Sequence, residues 1–155
     1  THTIIWGYVF GSIMRGGMVG ILVTAVTLCF VSFDIYSWSI IILTMLMTTI
    51  AFALGGLINA VFAKTFDDIG TIPTFVLTPL TYLGGVFYSV SLLPDFWQKV
   101  SQFNPIVYMI SGFRYGFVGS SDVPLYYTFS VLSIFIIVLY GWAYYLVDKG
   151  IGLRS

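Results

Sequence analysis

The sequence predicts an all-α, polytopic membrane protein with four transmembrane helices and one outer re-entrant helical hairpin. Three observations predict it. Of 155 residues, 59% are hydrophobic and 8% charged, with a mean hydropathy of +1.01, whereas a soluble domain carries about 25% charge. The few charges fall at the ends of long apolar runs. One apolar run, Val100 to Phe113, has only about 14 residues, too few to cross a hydrocarbon core of about 30 Å as a helix.

The first span is expected at about 10–33. Its charge-free part, Gly16 to Phe33, is just long enough to cross. Arg15 stands at the start of that run, where a long cationic side chain can snorkel to the headgroups. Trp6 and Tyr8 precede it as interfacial aromatics. Asp34 ends the run, and Tyr36, Ser37 and Trp38 form a turn at the opposite interface. The second span is expected at about 38–62, closing at Lys64. The polar loop Lys64-Thr65-Phe66-Asp67-Asp68 follows.

The third span is expected at about 70–91. Thr71 before Pro73 resembles a helix start, since proline is tolerated in a first turn. Pro79 falls deeper and kinks the span, with Thr78 and Thr81 hydroxyls available to the freed carbonyls. The re-entrant hairpin follows at about 94–118, opened by Leu93-Pro94-Asp95-Phe96-Trp97 at the far interface. A turn from Gly119 to Pro124 leads to the last span, about 125–147, which ends at Asp148-Lys149-Gly150. No linker, repeat or soluble domain separates these elements, so 1–155 is one membrane domain. Four spans put both ends on one side, with Arg15, Lys64, Lys149 and Arg154 against Lys99 and Arg114 on the other. The positive-inside tendency then makes both ends cytoplasmic.

Several function classes are excluded. Six Lys/Arg balance six acidic residues, all of them Asp, so nothing calls for nucleic acid or an acidic ligand. His2 is the one histidine and Cys29 the one cysteine. No HExxH helix, histidine metal cluster or internal disulfide can form, and no phosphate loop for ATP is present. The chain is expected to be no enzyme and to bind no metal or cofactor itself. Cys29 reads as an inert buried thiol. The opening THTIIWGY has no initiator Met, basic n-region or cleavage site, so no signal peptide is supported and the chain reads as a piece of a longer protein.

Ser12, Gly16 and Gly20 form a small-xxx-small stripe, which packs helices within the bundle or, less simply, against a second copy. Gly55-Gly56 and Gly84-Gly85 read the same way. Asn59 is a buried amide that bonds a neighbouring helix or faces a transport path. Asp67 and Asp68 either cap the helix that starts near Ile69 or meet a cytoplasmic partner. Arg114, in GFRYGF, anchors at the outer headgroups, orients the re-entrant helices, or meets an anionic lipid. Phe87, Tyr88, Phe96, Trp97, Phe103 and Tyr108 read mostly as an interfacial belt.

The stretch LTPLTYLGGVFY (77–88), then Leu93-Pro94, Asn104-Pro105-x-x-Tyr108 and FRYGF (113–117), with FAKTFDDIGTIP before and GIGLRS at the end, closely resembles the ABC-2 type transporter permease family. The resemblance covers nearly the whole chain and is densest from Ala63 to Gly119. It implies six spans, with the re-entrant hairpin on the outer face between the fifth and sixth. The family's first two spans, its interfacial helix and its main ATPase-coupling loop would precede this chain. It also implies a paired second permease and a cytoplasmic ABC ATP-binding subunit, on which ATP and Mg are bound. Exported substrates would be amphipathic compounds, lipids, polysaccharides or drugs, moved across a bacterial inner (cytoplasmic) membrane with the C-terminus cytoplasmic. On that reading Asn59, Pro79, Gly84, Gly85 and Arg114 serve the substrate pathway or its gating, and Lys64, Asp67 and Asp68 face the ATPase. A channel or a non-transporting membrane scaffold are the alternatives. No TVGYG-like filter lies on 100–113, which argues against the channel.

Overall fold

The computed structural model describes residues 1–30 and 34–151, leaving aside the side chains of Phe66 and Ile72. They form six helices: α1 (His2–Phe30), α2 (Trp38–Phe62), α3 (Phe66–Leu83), α4 (Asp95–Ser101), α5 (Pro105–Val118) and α6 (Leu125–Asp148), with a 3-10 turn at Val90–Leu92. Three of them, α1, α2 and α6, are long and apolar enough to cross a membrane by length and composition. Among the described residues the architecture is all-helical and that of a polytopic membrane protein.

The core is a seam between these three helices and α5. Ile5 and Val9 of α1, Ala51, Leu54 and Ile58 of α2, Met109 of α5, and Leu132, Leu139, Ala143 and Leu146 of α6 pack together. In lipid such contacts hold by close packing, because tails are as apolar as leucine and water drives little. Small residues make the approach possible. A Cβ at Gly16 would stand 3.2 Å from Thr49, and one at Gly20 2.8 Å from Met45 Sδ. The Gly16/Gly20 stripe therefore serves packing of α1 on α2 inside the chain.

The bundle has two ends. The upper end holds 34–37 and 119–124. There the Tyr36 and Ser37 amides donate to the carbonyls of Phe117 and Gly116 at 3.4 and 2.9 Å, and Tyr36 meets Tyr115 edge-on. Gly119 ends α5 with φ +79°, a left-handed cap that glycine adopts without strain. The lower end holds 63–65 and 149–151, where Thr1 Oγ1 donates to Asp148 at 3.2 Å.

Five expectations need correction. The helix expected at 70–91 runs from Phe66 to Leu83, about 27 Å at 1.5 Å per residue. It starts early because Thr65 and Asp68 close a capping box, and stops early at Gly84-Gly85, where φ reaches +77° at Gly85. Pro73 thus lies two turns inside the helix, not in its first turn. The first helix begins at His2, not near residue 10, and the expected end at 31–33 lies outside the described residues. Consequently Arg15 is not at the mouth of the span. The Gly16–Thr49 and Gly20–Met45 contacts put it level with the middle of α2, so it leaves the side count. Among the described residues Lys64 and Lys149 then face Lys99 and Arg114; Arg154 lies outside them. Cys29, expected buried, is exposed.

Candidate functional site

Two prolines shape the middle of the molecule. A helical residue donates to the carbonyl four back, and proline has no N–H to give. Pro73 leaves the Ile69 carbonyl free, and the Asn59 side-chain amide on α2 donates to it at 3.1 Å. The helix-to-helix role expected of Asn59 has this cause. Its other atom, Oδ1, is buried without a partner. No hydrogen bond from Thr78 or Thr81 is seen among the described residues near Pro79; Thr74 Oγ1 instead bonds back to Gly70 at 2.8 Å.

Above this point α3 stands off from the bundle, leaving an apolar cleft of about 340 Å³. Its walls are Phe52, Gly55, Gly56 and Asn59 of α2, Pro73, Val76, Leu77 and Leu80 of α3, Pro105, Ile106 and Met109 of α5, and Phe135 and Leu139 of α6. Gly55 faces open space, with nothing within 4 Å of a Cβ built there. Asn59 is the one polar side chain among these lining residues, and its Oδ1 is buried away from the cleft with no hydrogen-bond partner among the described residues.

The upper end of α3 is held by the turn between α4 and α5. Gly84 N–H bonds Thr81 O at 3.1 Å, so the Leu80 carbonyl loses its usual partner and accepts from Asn104 Nδ2 at 2.6 Å. The Leu83 carbonyl accepts from Ser101 Oγ at 3.0 Å. Asn104 also caps α5, its Oδ1 accepting from Ile106 N–H at 3.0 Å, with Pro105 in the first helical position. Tyr108 Oη closes the turn on the Gln102 carbonyl at 2.7 Å. Sequence reasoning took Asn104-Pro105-x-x-Tyr108 as a motif without reading these roles; an N-cap residue directly before proline is the signal for them.

Arg114 of α5 binds Asp122 at 2.7 Å and the Gly85 carbonyl at 3.0 Å. Asp122 also accepts from Ser89 Oγ at 2.8 Å. The guanidinium therefore joins α5, the loop after α3 and the turn before α6. Gly84 and Gly85 sit beside this clasp; a Cβ on Gly84 would be 2.8 Å from Ile106 Cγ2. Of the expected belt, Phe87, Phe96, Trp97 and Phe103 are exposed, while Tyr88 spends its hydroxyl on the Tyr82 carbonyl.

At the lower end Asp68 is the capping acid. Its carboxylate accepts from the Lys64 and Thr65 amides at 3.1 and 3.0 Å, and its own N–H donates to Thr65 Oγ1 at 3.3 Å. The Thr65 hydroxyl, then the Thr65 and Lys64 amides, hold this carboxyl below its ordinary value in the exposed, polar first turn of α3. Asp67 is exposed and takes no part in the cap. The structure thus brings Asn59 and Pro73 to the cleft, gathers Gly84, Gly85 and Arg114 at the clasp, and leaves Lys64, Asp67 and Asp68 a helix length away. Pro79 lies on α3 between them.

The family described as ABC-2 type transporter matches residues 1–118. The chain belongs to this family. It is similar to the inner membrane transport permease YadH of Escherichia coli strain K12, 62% identical over all 155 residues, which cover 60% of that protein. It is also similar to nodulation protein J of Rhizobium leguminosarum bv. viciae, 29% identical over 92 residues, 59% of this chain and 36% of that protein. The chain spans 60% of the length of the Escherichia coli relative. No solved structure matches it.

Proposed function

We propose that these residues form part of the permease subunit of an ATP-driven ABC exporter in a bacterial inner membrane. The carrying observation is the cleft between α3 and the α2–α5–α6 core. Its apolar walls, with Asn59 the one polar side chain among them, suit an amphipathic molecule. A separate cytoplasmic ABC subunit binds ATP and Mg and hydrolyses ATP, and a second copy of the permease completes the path. The lower end with Lys64, Asp67 and Asp68 then faces the ATPase, and the C-terminus is cytoplasmic.

The mechanism follows from how α3 is held. It is tied at its lower part through Ile69 to Asn59, and at its top through Leu80 and Leu83 to Asn104 and Ser101. A push on the Lys64–Asp68 turn moves α3 against the cleft, with Pro73 and Pro79 weakening the helix where it must bend. The top of α3 carries that displacement through Ser101 to α4, the outer arm of the α4–α5 hairpin, which acts as the lid while α5 stays packed on α2, with Arg114 keeping the lid's outer edge in register.

Two measurements test this. The full-length permease, drawn from native membranes in mild detergent, should bring down an ATP-binding subunit in a near one-to-one ratio. Its ATPase turnover should respond to amphipathic candidates. Passive, saturable ion flux through permease liposomes without ATP would replace this reading with a channel; an ATPase indifferent to every candidate would favour a scaffold.

A further inference from the structure

One charge lies where a membrane bundle has least use for it. Arg15 is level with Thr49 and Ile50, the middle of α2. A core of about 30 Å puts either interface about 15 Å away, beyond the reach of a three-carbon stem. Arg15 is exposed, and its side chain makes no hydrogen bond or ion pair among the described residues. Ionisable side chains at such depth are rare and face protein or a water-filled space rather than lipid tails.

The face it stands on is also distinctive. Residues four apart share a helix face, so Gly7, Gly11 and Arg15 form one line. The packed residues Ile5, Val9, Gly16 and Gly20 lie on the other side of α1. A Cβ at Gly7 or Gly11 would meet nothing within 4 Å. This small-xxx-small spacing permits close helix approach, and the described residues leave it unused.

We propose that a further transmembrane helix of the full-length permease packs over Gly7 and Gly11 and sets a carboxylate against Arg15. The inference rests on α1 crossing the membrane and not on transport. A second copy is the wrong occupant. A two-fold axis along the membrane normal keeps every residue at its own depth, and no Asp of this chain lies at that of Arg15. Asp34 and Asp122 are in loops, Asp67 and Asp68 in the first turn of α3, Asp95 begins α4 and Asp148 ends α6. Two copies meeting here would oppose two guanidinium groups. The Escherichia coli relative is longer, this chain covering 60% of it, and the remainder has room for several spans of about 20 residues.

The test uses the full-length permease in native membranes, with Cys29→Ser as background. Gly11→Cys, paired with cysteines placed at mid-span in the helices outside these 155 residues, should cross-link within one polypeptide. Met14→Cys, on the same face, serves if Gly11→Cys does not fold. Arg15→Gln should lower the detergent Tm by a few degrees and Arg15→Lys by less, and exchanging Arg15 with the paired acid should restore it. Cross-links only between two copies would overturn the proposal, as would Arg15→Cys reacting with a membrane-impermeant maleimide. A Tm unchanged in Arg15→Gln would overturn it too.

Discussion

The α2 helix meets its two neighbours, α5 and α3, in opposite ways. Against α5 the backbones are pressed together. A Cβ on Gly112 would stand 2.7 Å from Thr44 Oγ1, and one on Gly116 2.5 Å from Ile41 Cγ1 and 3.2 Å from the Ile41 amide nitrogen. Against α3 there is one hydrogen bond from Asn59 and then the cleft. Six residues of α5 are buried, whereas none of the described side chains of α3 is. Few buried contacts mean low local stability, from which moving elements are drawn. Helix α5 is therefore fixed framework, and α3 is the part free to shift.

The strongest way to break this contrast is at the tight crossing. Gly116→Ala should cost about 3 kcal/mol, the upper end for overpacking, because the Ile41 backbone cannot yield. Thermal unfolding of the full-length permease in detergent measures it, and Ile41→Ala in the same chain should recover part of the loss. Next comes Asn104→Ala at about 2 kcal/mol, since it removes the α5 cap and strands the Leu80 carbonyl in apolar surroundings. Protease sensitivity between α3 and α4 should rise with it.

Smaller effects sharpen the other side. Thr65→Ala should cost about 1 kcal/mol by removing the α3 cap, and faster amide exchange confined to 66–70 would report it. Arg114→Gln should cost under about 1 kcal/mol, because the pair with Asp122 is about 30% exposed. Its transport should fall further than its stability if the clasp holds the lid. At the bottom of the scale, Gly55→Ala should raise stability by about 0.5–1 kcal/mol, the helix preference of alanine over glycine, while export slows because the methyl enters the cleft. A variant both more stable and fully active would remove the cleft from the path.

Much of the candidate site was half legible. Asn59 and Arg114 stood out as polar residues among apolar ones. Their partners did not, because Ile69 is a backbone carbonyl exposed by Pro73 and Asp122 sits across a turn. Asn104 and Ser101 were passed over as hairpin residues. What they satisfy, the carbonyls of Leu80 and Leu83, lies about 20 residues away. Arg15 was misplaced because the count of uncharged residues began after it. The apolar residues from Ile4 to Met14 continue the helix on its other side, and a single charge does not break helical hydrogen bonding.

By itself the sequence determined the solvent, the all-helical class, the lengths of α2 and α6 and the shortness of α5. All follow from local facts: apolar runs must satisfy their backbone groups within one helix when no water is present, and 1.5 Å per residue converts length to depth. Tertiary structure alone decided which carbonyls Asn59, Ser101 and Asn104 serve, that Arg114 clasps three segments, and that Arg15 lies at mid-depth. Those outcomes depend on which helices touch, and contact between residues far apart in the chain is set by packing and not by the character of either stretch.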